Sequence, residues 1–274
     1  MAAVCAVASV FAGSAQINET FAAHVAKLPK LEGFTICVQP PFVVIGDEAA
    51  EMVNRRATSS VRWAVARLKK DFFPRDPEHI IDIWLFRDRQ SYTNHAWKLF
   101  KDVPTSPYGY FSGEHHALIM NIATGGGTLT HEMTHAFMPA NFPECPSWFN
   151  EGLASLFEAS AERNGHIVGL VNWRYKGLER AIQERKVISF KELTAMRGPE
   201  FYSGKIYNEN YAQARYLCYY LQEKGLLHKF YRDFVKNVQF DPTGYETLRR
   251  TLGNPDMTKF QAQWEKFILD IRPH

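Results

Sequence analysis

Charge of one sign is what this chain has least of. Its 32 basic and 29 acidic residues leave a formal net charge of +3 over 274 residues. The basic residues are scattered, with no dense run, which argues against a nucleic-acid partner. Cysteine is scarce too: there are four, and no C-x-x-C pair. Neither a thiolate zinc site nor a dithiol redox motif can be assembled from sequence neighbours. Internal repeats and low-complexity stretches are absent, and no apolar run is long enough to span a bilayer, so no transmembrane segment is expected.

What is present fits a folded chain. At 46% hydrophobic, 22% charged and 14% aromatic residues, it can bury one large core or two modest ones. The first fifteen residues, M-A-A-V-C-A-V-A-S-V-F-A-G-S-A, are small and apolar, with Gly13 and Ala15 where a signal peptidase inspects the chain. The segment is read as a secretory signal lacking its basic n-region, which implies a secreted or periplasmic protein. Cys5 would leave with it, and Cys37, Cys145 and Cys218 are read as buried thiols.

Strand and helix patterns alternate in the first half. F34-T-I-C-V-Q39, F42-V-V-I-G46, I80-I-D-I-W-L-F86 and A117-L-I-M-N-I122 read as strands. Val53, Ala57, Val61, Ala64 and Leu68 fall on one helical face, and residues 91–100 form a second helix. Gly125 to Gly127 permit a sharp turn into a helix capped near Thr128 and stopped by Pro139. Ser147 is expected to cap a helix over 148–158 that fades at Asn164-Gly165. Segments 173–185, 208–224, 226–238 and 258–271 carry helical periodicity. Strands early and helices late predict an α+β fold: one domain over 16–274, with an α/β part to residue 138 and a mainly helical part from 139.

The chemistry concentrates in T130-H-E-M-T-H-A-F137. On a helix, His131 and His135 stand one turn apart and about 40° around the axis, so their imidazoles can converge on one ion at about 2 Å. Glu132 projects beside them, placed to take a proton from an activated water without being a ligand. In a shuffled chain with this histidine content, H-E-x-x-H is expected only about 0.02 to 0.03 times. Catalytic zinc asks for three protein ligands and an open position. The next strong donor is Glu151 in W148-F-N-E-G-L-A154, with Gly152 beside it allowing close helix approach. One Zn2+ held by His131, His135 and Glu151 is the expected cofactor.

H131-E-M-T-H135 followed by N150-E-G-L-A154 resembles the gluzincin metallopeptidases, and the wider layout, over roughly residues 35 to 235, is similar to peptidase-MA-like domains. The resemblance implies a zincin-like fold, a peptide or protein substrate, and hydrolysis with Glu132 as general base. It also implies that Tyr211, at the start of Y211-A-Q-A-R-Y-L-C-Y-Y-L, donates a hydrogen bond to the oxyanion, with Tyr207 in reserve. Enzymes of this kind bind substrate along an edge strand, the role expected here of Ala117–Ile122. Aminopeptidases of the group carry an amine-binding glutamate in that strand. L-I-M-N has none, which tilts the expectation toward an endopeptidase.

Other histidines are read plainly. His115 and His116 are adjacent and would face opposite ways on a strand; one of them can line a cleft. His24, His79, His95 and His166 have no partner at ligand spacing. The alternative function is a secreted, non-catalytic binding or scaffold domain that retains the metal for structure, with Cys145 as the candidate fourth ligand.

Overall fold

A computed structural model of the chain describes residues 4–5, 20–202 and 207–272, and of Val4, Cys5, Tyr207 and Asn208 the backbone alone. The expected leader, residues 1–15, lies outside the described residues except for Val4 and Cys5. The fold is α+β. It divides into two compact units, 1–141 and 142–274.

The first unit is built on a mixed sheet. Its main strands are β2 (Thr35–Gln39), β3 (Phe42–Gly46), β4 (Ile81–Phe86), β5 (Gly109–Ser112) and β6 (Ala117–Asn121), and a two-residue strand, β1 (Val4–Cys5), runs parallel to β2. The order is β1-β2-β3-β4-β6-β5. The pairs β3/β4 and β4/β6 are parallel, whereas β2/β3 and β5/β6 are antiparallel. Every residue of β3, β4 and β6 is buried, as expected of inner strands covered on both faces.

Side chains alternate between those faces. On one, Val43, Ile45, Trp84, Phe86, Ala117 and Ile119 share a core with Tyr92 and Ala96. On the other, Phe42 meets Phe137 edge-on, and Phe137 stacks on Phe73 with centroids 5.6 Å apart. The covering helices are α1 (Phe21–Lys27), α2 and α3. Helix α2 runs from Ala50 to Asp71 with a π-helical stretch at Arg56–Val61, where the Thr58 hydroxyl donates to Asn54 O at 2.8 Å. Helix α3, Arg89–His95, starts at Asp88, whose side chain accepts from Ser91 N, and continues as a π-helix over Ala96–Phe100.

The expectation of β6 as the edge strand is overturned. It hydrogen-bonds β4 on one side and β5 on the other, and the edge belongs to β5. The short G109-Y-F-S112 run returns antiparallel to β6 and occupies the side that the isolated pattern of residues 117–122 had left open.

Helix α4, Gly127–Asn141, closes the first unit. Pro139 does not stop it. The proline falls in the last turn, where it forgoes the single N–H that would have met the His135 carbonyl. The end is held instead by Asn141, whose side chain accepts from Arg75 N and donates to Arg75 O and Phe137 O. Gly125, with φ of +108°, makes the turn before the helix.

The second unit is mainly helical. It comprises α5 (Ser147–Leu156), α6 (Arg174–Gln183), α7 (Phe190–Ala195), α8 (Gly198–Tyr202), α9 (Tyr207–Glu223), α10 (Leu227–Asn237), α11 (Tyr245–Thr251) and α12 (Met257–Leu269). Ser147 is the first residue of α5, and Pro146 holds the cap position. A hairpin interrupts the helices: β7 (Ser160–Arg163) and β8 (His166–Gly169), paired antiparallel. Asn164-Gly165 is its turn and not a fading helix end; both residues have positive φ, +54° and +76°, the geometry that two-residue hairpins favour.

Helices α5 and α9 approach closely at Gly152. A Cβ there would lie 2.9 Å from Ala214 O and 3.2 Å from Cys218 Sγ, so only glycine fits this backbone contact. Arg215, fully buried, donates its Nε to Ser155 O at 2.9 Å and Nη2 to Leu170 O. It thereby adds a donor to the Ser155 carbonyl, at the C-terminal end of α5, which also accepts from Glu158 N at 3.2 Å.

Candidate metal centre

His131 and His135 lie in the middle of α4, and both turn toward the same point. Their Nε2 atoms are 3.0 Å apart and their ring centroids 4.7 Å, with the rings nearly perpendicular. Two nitrogens bound to one ion at about 2 Å each adopt a separation of this order. His131 is 8% exposed and His135 more open, so the pair is sheltered yet reachable from solvent. The aromatic stack of Phe137 on Phe73, two residues beyond His135, fixes this length of helix against its own unit.

Glu151 is on α5 and 6% exposed. One ligand atom from each of His131, His135 and Glu151 falls within 4.8 Å of the others. This group of two imidazoles and a carboxylate can hold a metal ion. The donor set suits zinc and other borderline transition ions better than the hard oxygen-seeking cations.

Sequence reasoning passed over one residue at this centre. The Tyr202 hydroxyl donates to Glu151 Oε1 at 2.9 Å, a contact made from the last residue of α8. Fifty-one positions separate the two residues, and no spacing rule connects them. The one visible sign was an aromatic pair, Phe201-Tyr202, closing a short G-P-E segment. Hydrogen bonds of this kind orient a ligating carboxylate and tune its basicity.

Glu132 follows His131 directly and is 8% exposed. Its carboxylate is near enough to Tyr92 to add to the burial that pushes that phenol well above its usual range. Tyr211 sits in the first turns of α9, 6% exposed. Its ring is 5.2 Å from Phe201 and 6.3 Å from Tyr202, and the Arg174 guanidinium lies over it at 5.2 Å. Arg174 in turn forms a two-pronged ion pair with Glu158, at 2.8 and 2.7 Å. The side chain of Tyr207 lies outside the described residues.

Cys145, the candidate fourth ligand, is not in the group. Its sulfur donates to Pro146 O at 3.7 Å. Burial pushes its thiol well above the ordinary range, with Cys218 and Glu151 adding to the effect, and a thiol held in that form is a poor ligand.

The remaining histidines find partners in space that spacing did not reveal. His24 meets Asp82 at 2.8 Å, His79 lies against His116 with centroids 4.1 Å apart, and His166 faces His228 at 5.7 Å. His115 and His116 precede β6 and are not strand residues. His116 takes a left-handed conformation at φ +46°.

The family described as "Protein of unknown function (DUF1570)" matches residues 126–241, a stretch that contains His131, Glu132, His135, Glu151, Tyr202 and Tyr211. No curated protein matches the chain. Among the described residues, no helix is long and apolar enough to cross a membrane.

Proposed function

We propose that the chain is a zinc-dependent peptidase of gluzincin type, exported from the cytoplasm, with an endopeptidase favoured over an aminopeptidase. The observation that carries this reading is the convergence of His131, His135 and Glu151 ligand atoms within 4.8 Å, on helices bearing H-E-x-x-H and N-E-G-x-A. His131, His135 and Glu151 would hold the ion. When bound, zinc supplies Lewis acidity that brings the pKa of water near neutrality and polarises a carbonyl.

The chain's own groups do the rest. Glu132 takes a proton from the attacking water and delivers it to the leaving amine nitrogen, a general base and then a general acid. Tyr211 donates to the oxygen that gains charge. Tyr202 holds the Glu151 carboxylate in its ligating orientation. A peptide substrate would add as a further strand to β5, the sheet edge of the unit that also carries the histidine helix and in contact with that helix.

The test is turnover of a broad peptide library by the purified protein, with and without a chelator, and with Glu132→Gln. Cleavage that the chelator abolishes and that Glu132→Gln lacks, at unchanged zinc content, supports the reading. Equal cleavage by wild type and Glu132→Gln would sink it.

A further inference from the structure

We propose that His166 and His228 form a second divalent-metal site, within the helical unit, that fastens the β7–β8 hairpin to α10. This inference does not depend on the peptidase reading.

Contacts of different kinds meet the two ends of the hairpin. At the Gly169 end, the Gln222 side chain completes the strand edge, accepting from Gly169 N at 2.7 Å and donating to Gly169 O at 2.9 Å. Gly169 also abuts Leu156 so closely that a Cβ would lie 2.4 Å from its Cδ1. At the turn end lies the Arg163–Glu223 ion pair at 3.2 Å, with Arg163 54% exposed. An exposed pair of this kind contributes little, and a two-stranded hairpin has little stability of its own.

His166 stands at that turn end, opposite Arg163 in the register. It faces His228, in the first turn of α10, with ring centroids 5.7 Å apart and planes tilted by 47°. One ring nitrogen of each lies within 4.8 Å of the other. Two nitrogens bound at about 2.0–2.1 Å can be no more than about 4.2 Å apart, so small side-chain rotations bring both onto one ion. Both residues are half-buried, open to solvent yet backed by the fold.

Imidazole donors select zinc, copper or nickel over calcium and magnesium. The two histidines that the helical unit supplies are both half-buried, so the site is weaker than the more sheltered centre on α4. An ion there would add coordinate bonds beside the exposed ion pair and tie residue 166 to residue 228 across 62 positions of chain.

Calorimetric titration of Zn2+ into the chelator-stripped full chain tests this, with folding of each variant checked by circular dichroism. Wild type should take up two ions, the second at least about tenfold more weakly, since its donors are more open to competing water. His166→Gln and His228→Gln should each lose the weaker ion and keep the tighter one, and His135→Ala should do the reverse. Retention of the weaker ion in both glutamine variants overturns the proposal, as does a single wild-type ion that His135→Ala abolishes. Loss of zinc in His228→Gln but not in His135→Ala would uphold it while removing the metal centre on α4.

Discussion

Helices α4 and α5 both carry ligands of the proposed metal centre, yet they are positioned by different means. The two histidines of α4 need only the helix: a four-residue spacing sets their Nε2 atoms 3.0 Å apart, whatever the rest of the chain does. Glu151 is one carboxylate on a ten-residue helix, and its placement is set from outside. Trp148 Nε1 donates to Thr243 O at 2.8 Å, Gly152 admits the backbone of α9, Arg215 closes the C-terminal carbonyls, and Tyr202 meets the carboxylate itself. A ligand pair made locally should survive damage to the packing, whereas a ligand placed by distant contacts should not.

The largest effect should come from a residue of α4 that is not itself a proposed ligand. Glu132→Gln should lower turnover by on the order of 10²–10⁴, the usual worth of a general acid–base group, with zinc content unchanged by elemental analysis. Next comes Arg215→Met. It removes the Arg215 hydrogen bonds to the carbonyls of Ser155, Leu156 and Leu170 in a buried place, at a cost of about 3 kcal/mol or more. A urea midpoint measurement reads this, and zinc affinity should fall with it because α5 loses its anchor.

Gly152→Ala should cost about 1–3 kcal/mol through overpacking against Ala214 O and weaken zinc binding by displacing Glu151. Unchanged affinity in that variant would mean that α5 is not held where α9 meets it. The smallest effect is expected of Tyr202→Phe, which keeps the ring and removes the hydroxyl. Zinc affinity should drop about tenfold, at the low end for a partner of a ligating group because the tyrosine is 44% exposed, with little change in stability. Equal losses of zinc from all of these variants would erase the distinction between the two helices.

Much of this organisation could be read before folding was considered. The strands over 35–39, 42–46, 81–86 and 117–121 follow from apolar runs bounded by turn residues, and α9, α10 and α12 from their periodicity. The hairpin at 160–169 was missed because a helical pattern runs into it, although Asn164-Gly165 is itself a strong turn signal. Pro139 was expected to end α4. The tertiary bonds of Asn141 to Arg75 hold the last turn in spite of it. Tyr202 and His228 were invisible as site residues, since their partners lie 51 and 62 positions away.

From order of residues alone come the α+β alternation, the histidine pair with its neighbouring glutamate, and the candidacy of Glu151, because each is carried by local patterns and short motifs in the chain. The edge role of β5, the fit of α9 at Gly152, the hold of Tyr202 on Glu151 and the meeting of His166 with His228 were decided only by tertiary structure. These are contacts between elements far apart in the chain, and the residues on either side carry no period or motif that names the other. Their energetics come from packing density and from the need to pair buried polar groups, which exist only once the elements have come together.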